Sequence, residues 1–201
     1  KVIDMETGNE LEIDNEYIMS PKDLCTINIL DELIDTGVDV LKIEGRGKGA
    51  DYVYTVTQCY REAIQSIREG SYNSDKIRDW MSRLETVYNR GFWEGYYLGR
   101  KLGEWTKNPG SAAAEKKMYV GKSTNFFSKI NVAEFEIESG TLKSGDKMMI
   151  IGRNFGVYHF SLDEFRVNGE PATEAHRGDR VTFTMEQKTA STDKLYKMIT
   201  S

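Results

Sequence analysis

The residues with chemistry to offer in the first part of this 201-residue chain lie between Ser20 and Gly49. Cys25 follows Ser20-Pro21-Lys22-Asp23-Leu24. Ser20 suits a helix cap, Pro21 the first helical position, and Asp23 places negative charge in the first turn. The spacing of Leu24, Ile27, Leu30, Leu33 and Ile34 continues the same helix, and Gly37 stops it. In that setting Cys25 sits one turn into the helix, where the N-terminal dipole favours a thiolate. The alternative is a small thiol packed beside Leu24, and the residues alone leave both open.

Lys42, Glu44 and Arg46 form a second group. Val38-Asp39-Val40-Leu41-Lys42-Ile43 is a β-branched run of strand length, ending in the glycine-rich loop Glu44-Gly45-Arg46-Gly47-Lys48-Gly49. On a strand, Lys42 and Glu44 point the same way. With Arg46 as a bidentate clamp, the trio suits an anionic or polar substrate. It equally suits a salt-bridge network at the mouth of a sheet. The loop is not a phosphate-binding P-loop, because Lys48 is followed by glycine instead of serine or threonine.

Around these groups the chain alternates strand, helix, strand, helix. Tyr17-Ile18-Met19 and Val38–Ile43 are the predicted strands. The second long helix carries Val53, Val56, Tyr60, Ala63, Ile64 and Ile67 on one face, with Gly70 as its stop. Cys59 lies among these packing positions. Such alternation builds parallel α/β architecture, with functional loops at the carboxyl ends of the strands. Two strands are too few for a parallel sheet, which needs cover on both faces. A third helix opens at Ser74-Asp75 and runs through Trp80 and Leu84. It leads into Phe92, Trp93, Tyr96 and Tyr97, which suit either base stacking or packing of a helix end.

Thr106–Glu115 reads as a linker, and beyond it the period becomes two. Val132–Ile137, Lys147–Ile151 and Arg180–Met185 alternate, and the turns Gly145-Asp146 and Gly178-Asp179 each precede a strand. This predicts a small closed or sandwiched β module. The domains expected are therefore 1–105 α/β, 106–116 linker and 117–201 β-barrel.

Charge and cysteine content narrow the classes. The formal net charge is −5, and residues 1–50 hold 5 Lys/Arg against 12 Asp/Glu, so no broad basic field marks a non-specific nucleic-acid binder. Lys122, Lys129, Arg153, Arg177 and Arg180 offer either a local RNA face or scattered surface charge. Two cysteines are too few for a disulfide scaffold, which points to a reducing, cytoplasmic compartment. No apolar run approaches the roughly 20 residues of a membrane span. The two histidines, His159 and His176, both fall in the β module, and no Ser-His-Asp, Cys-His or zinc-protease pattern is present.

Two stretches resemble known families. Tyr17–Cys25 and Gly37–Arg46, with the Lys42-Ile43-Glu44-Gly45-Arg46 segment at their heart, resemble the peptidase U32 family. So do the helix from Asp51-Tyr52-Val53 to Tyr60-Arg61-Glu62-Ala63-Ile64 and Asn89-Arg90-Gly91-Phe92. Pro21, Gly47 and Gly49 depart from the usual pattern. The segments around Gly121–Phe127, Gly140–Asp146 and Ala175–Val181 resemble the second-domain β-barrel of translation elongation factors. The resemblance implies the C-terminal end of an α/β barrel followed by that β-barrel. It implies a parent enzyme, either a collagenase-like protease or an oxygen-independent hydroxylation factor acting on tRNA, rRNA or a small aromatic. The hydroxylation reading comes first, and this stretch alone is expected to be inactive. By resemblance Cys25 is the fourth ligand of a [4Fe–4S] cluster whose other ligands lie upstream, and Lys42, Glu44 and Arg46 are the catalytic residues. The alternative function is a module whose β-barrel recognises RNA or a protein. Oligomeric state is not legible.

Overall fold

A computed structural model of the chain describes residues 2–3, 5–8, 10–11, 20–99, 105–106 and 110–200. The strand expected at Tyr17–Met19 lies outside the described residues. The chain divides into two compact units, Lys1–Arg46 with Thr55–Ala114, and Gly47–Tyr54 with Glu115–Ser201.

In the first unit, β1 (Val2–Ile3) pairs antiparallel with β2 (Glu10–Leu11). The helix predicted from Ser20 is not formed there. Instead Pro21 bridges to Trp105, and β3 (Asp23–Leu24) pairs in parallel with β4 (Phe92–Trp93). A 3-10 turn follows at Ile27–Ile29, and α1 occupies only Leu30–Asp35. The capping residues are drawn to other partners. The Ser20 carbonyl accepts from the Thr106 amide at 3.0 Å, and the Asp23 carboxylate accepts from the Arg90 amide at 2.9 Å and its Nη2 at 3.1 Å.

The strand predicted at Val38–Ile43 is likewise absent. Residues 38–45 carry no regular structure, with Val38, Val40 and Leu41 44%, 80% and 36% exposed. A β-branched run becomes a strand only where another strand completes its hydrogen bonds. The parallel pairing found among the described residues is the two-residue β3–β4 contact.

The helical layer follows the sequence closely. α2 (Ala50–Arg68) buries Val56, Cys59, Ala63 and Ser66, one stripe at helical spacing. Gly70, at φ +66°, closes it, with the Ser71 amide bonded to the Ser66 carbonyl at 2.8 Å. α3 (Ser74–Glu85) opens at Ser74 as expected, and Asn73 caps it. The Asn73 side chain accepts from the Asp75 and Lys76 amides at 3.0 and 3.1 Å. Trp80 and Leu84 of α3 are buried, and Trp80 stacks on Tyr72 with ring centroids 5.8 Å apart.

The second unit is built on an antiparallel sheet. Its strands are β5 (Glu115–Phe127), β6 (Val132–Ile137), β8 (Asp146–Gly152), β9 (Gly156–Leu162), β10 (Phe165–Val167), β11 (Glu170–Ala172), β13 (Arg180–Thr184) and β14 (Lys194–Thr200). Their order is β11-β10-β13-β6-β5-β14-β8-β9, and β7 (Thr141–Lys143) pairs separately with β12 (Glu174–His176). The expected closure is not reached. Among the described residues β9 and β11 end the ladder and do not pair with each other.

The sheet curls around Phe135, Ile137, Leu142, Met148, Ile150, Leu162, Val181 and Leu195, all buried. The predicted period of two is obeyed in β6, where Ala133, Phe135 and Ile137 are buried between partly exposed neighbours, but not in β8, where Met148, Met149 and Ile150 are buried in succession. Register shifts at Ser123/Asn125 against β6 and at Leu195/Tyr196 against β14 bend the long strand β5. A Cβ at Gly121 would lie 2.0 Å from the Glu136 carbonyl oxygen, so this close approach of β5 to β6 requires glycine.

Candidate functional site

Cys25 lies between β3 and the 3-10 turn, outside any helix. Its amide donates to the Trp93 carbonyl at 2.9 Å, which fixes the residue beside β4. The side chain is 5% exposed, with Sγ 3.9 Å from both the Met81 Sδ and the Tyr60 hydroxyl. The Tyr60 hydroxyl also accepts from the Thr26 amide at 2.9 Å. Burial pushes the Cys25 thiol up, outweighing the lowering by the Ile27 amide and Tyr60. The thiolate expected from a helix N-terminus is therefore not favoured, because α1 begins five residues later and the side chain is buried.

Cysteine-ligated clusters are held by sets of thiolates. Among the described residues no three His, Cys, Asp or Glu side chains gather where a metal ion could be held. Cys25 is a single donor, so these residues do not fit a whole cluster. Cys59 is fully buried, with its thiol 3.9 Å from the Trp80 carbonyl, and burial raises it to about 11.

Lys42, Glu44 and Arg46 sit on the exposed segment after α1. The Glu44 carboxylate accepts from the Arg46 amide at 2.6 Å, a local turn that replaces the expected side-chain clamp. Among the described residues no ion pair joins the three, nor does any contact join them to Cys25. Of the aromatic cluster, Trp93 and Tyr96 meet edge-on at 5.1 Å, while Tyr96 and Tyr97 are largely exposed. In the β module Lys122 pairs with Glu138 at 2.6 Å, and Arg180 stands across the ladder from Glu136. These two candidate RNA contacts are interleaved with carboxylates.

The sequence reading missed a groove of about 840 Å³ between α2 and α3. Trp80, Arg61, Glu62, Ser66 and Lys76 are among its lining residues. Glu62 accepts from the Trp80 indole at 3.0 Å and from Arg83 Nη2 at 3.0 Å, and Arg83 holds its carboxyl below the ordinary range. Beside them Ser66, Ser71 and Lys76 form a closed triangle. Lys76 Nζ is 3.0 Å from the Ser66 hydroxyl and 2.8 Å from that of Ser71, and the two hydroxyls are 3.0 Å apart. The spacing of five and five crosses a helix end, and helical periodicity does not carry across it. The one signal in the sequence was Gly70, whose turn folds Ser71 back on Ser66.

A model described as peptidase family U32 matches residues 2–107, more than half of the chain. The chain belongs to peptidase family U32. A protein of Porphyromonas gingivalis named collagenase is 48% identical over 98% of this U32 chain and 47% of its own length. A tRNA hydroxylation protein of Bacillus subtilis, P2, is 39% identical over 47% of the chain and 33% of its own length. The chain thus spans about half the length of the collagenase it matches. A crystal structure of the C-terminal domain of a Geobacillus thermoleovorans U32 peptidase superposes on 39% of the U32 chain with a TM-score of 0.37 at 12% identity. Among the described residues no helix is long and apolar enough to cross a membrane.

Proposed function

We propose that these residues serve a U32 protein acting in tRNA hydroxylation, with Cys25 giving one thiolate to an iron–sulfur cluster whose other ligands lie outside this chain. The observation that carries the reading is the Cys25 pocket. The thiol is shielded, held high by burial and bonded to Tyr60 and Met81, neither of which is a general base at neutral pH, which is unsuitable for a nucleophile. Binding to iron would remove the proton that burial retains. Relatives named as tRNA hydroxylation proteins support the same direction. Lys42 and Arg46, exposed and four residues apart, would contact RNA phosphates, with Glu44 holding the turn.

The test uses the complete protein, purified without oxygen, as wild type and Cys25→Ser. Loss of iron and sulfide in the variant, with loss of hydroxylated nucleosides from the tRNA of the complemented deletion strain, is the expected result. Unchanged metal content would overturn the ligand assignment, and unchanged tRNA would overturn the hydroxylation reading.

The collagenase of Porphyromonas gingivalis, similar over nearly the whole chain, favours a second reading as a peptidase. Cleavage of denatured collagen by the complete protein, in a strain background free of other gelatinases, would establish it.

A further inference from the structure

The geometry points to an acyl-transfer site at Ser66, Ser71 and Lys76, in the groove between α2 and α3, that takes a small ester or peptide. Three observations converge there. Ser66 and Lys76 both line the groove, so the hydroxyl and the amine reach the same open space. Ser66 is 3% exposed and its hydroxyl oxygen is held on two sides, by Ser71 at 3.0 Å and by Lys76 at 3.0 Å. Among the described residues, no carboxylate pairs with Lys76, whereas Glu62 is bound to Arg83 and Asp75 to Arg78. The amine is thus committed to two hydroxyls, the arrangement in which a lysine activates a serine without a histidine.

The backbone builds this triangle reproducibly. Ser66 stands in the last turn of α2, Gly70 reverses the chain, and the Ser71 amide bonds the Ser66 carbonyl. Lys76 follows on the first turn of α3, whose cap at Asn73 sets its direction.

In the step inferred, Lys76 Nζ takes the Ser66 proton as Oγ attacks the acyl carbon and forms the new C–O bond. The bond from that carbon to the leaving oxygen or nitrogen breaks, and the proton on Nζ passes to the leaving group. Water then attacks the acyl-serine, giving a proton to Nζ as the C–Oγ bond breaks, and Nζ returns it to Oγ. Ser71 is a positioning residue, holding Nζ and Oγ in register. Neither Cys25 nor the hydroxylation reading enters this chemistry.

The experiment treats the 201-residue chain with a biotinylated fluorophosphonate and locates the modified serine by peptide mass spectrometry. Expected is a single phosphonyl group on Ser66, lost when the chain is denatured first. Lys76→Arg keeps hydrogen-bond donors for the two hydroxyls but its guanidinium cannot serve as the base, and labelling should fall at least tenfold while the circular dichroism spectrum is unchanged. Ser71→Ala should slow labelling several-fold without moving it to another residue. An unlabelled native chain, or equal labelling of Lys76→Arg, would show that the triangle is only a brace for the α2–α3 turn. A Ser66→Ala chain that fails to fold leaves the Lys76→Arg comparison decisive.

Discussion

Cys25 was recognisable from its sequence context, but its chemistry was not. A capping pattern of Ser, Pro and Asp promised a helix and a stabilised thiolate, whereas Asp23 bonds Arg90 and the thiol ends buried. Local patterns cannot report a partner sixty-seven residues away. The two thiols give a pH signature. Each keeps its proton in the folded state above the ordinary cysteine value of about 8.5, while the unfolded chain loses it. Stability is therefore full below that value and falls as pH rises, up to about 11 for Cys59. The Cys59 contribution declines by at most about 1.4 kcal/mol per pH unit. Urea denaturation at pH 8 and pH 10.5 should show a smaller decline for Cys59→Ala than for the wild type. Neither thiol should react with Ellman's reagent at pH 7 until urea is added, which a spectrophotometric assay reads directly. At Lys42 and Arg46, removal of either cation should weaken tRNA binding by the complete protein. The slope of log affinity against log salt should flatten by about 0.7–0.9 for each phosphate left without its cation. Filter binding across a salt series would measure it.

At the scale of elements, legibility followed burial. β6 and β13 were readable because one face of each is sealed in the core and period two survives, whereas β8 buries Met148, Met149 and Ile150 in succession. α2 and α3 were readable for the same reason at period 3.6. Val38–Ile43 had the composition of a strand, but composition does not supply a neighbour, and the run stays irregular and exposed. The contact of β3 with β4 rests on the Asp23–Arg90 pair, so Asp23→Asn should cost about 1.5–3 kcal/mol in urea denaturation. Gly121→Ala drives a methyl group into the Glu136 carbonyl. The β5–β6 ladder must then shift, at a cost of about 1–3 kcal/mol or more, visible as faster amide exchange along β6.

For the whole molecule, the alternating pattern after the linker announced an antiparallel module but not its open seam. Closure depends on whether β9 and β11 meet, and no residue pattern encodes the distance between two edges. The core that the sheet encloses is continuous, and Leu195 on β14 is fully buried within it. Leu195→Ala should therefore cost about 2–5 kcal/mol, measured as a shift in the urea midpoint at unchanged slope.

β14 has a further consequence, in time and not in energy. It lies between β5 and β8, so the middle of the sheet is filled by a strand that is synthesised after both. While a ribosome is still translating residues before Lys194, β5 and β8 have no link through this ladder, and their facing edges are open to other chains. The module cannot assemble strand by strand as it emerges. It must wait for its last piece, and its folding should be slow, on the millisecond-to-second scale of sheets dominated by distant pairings.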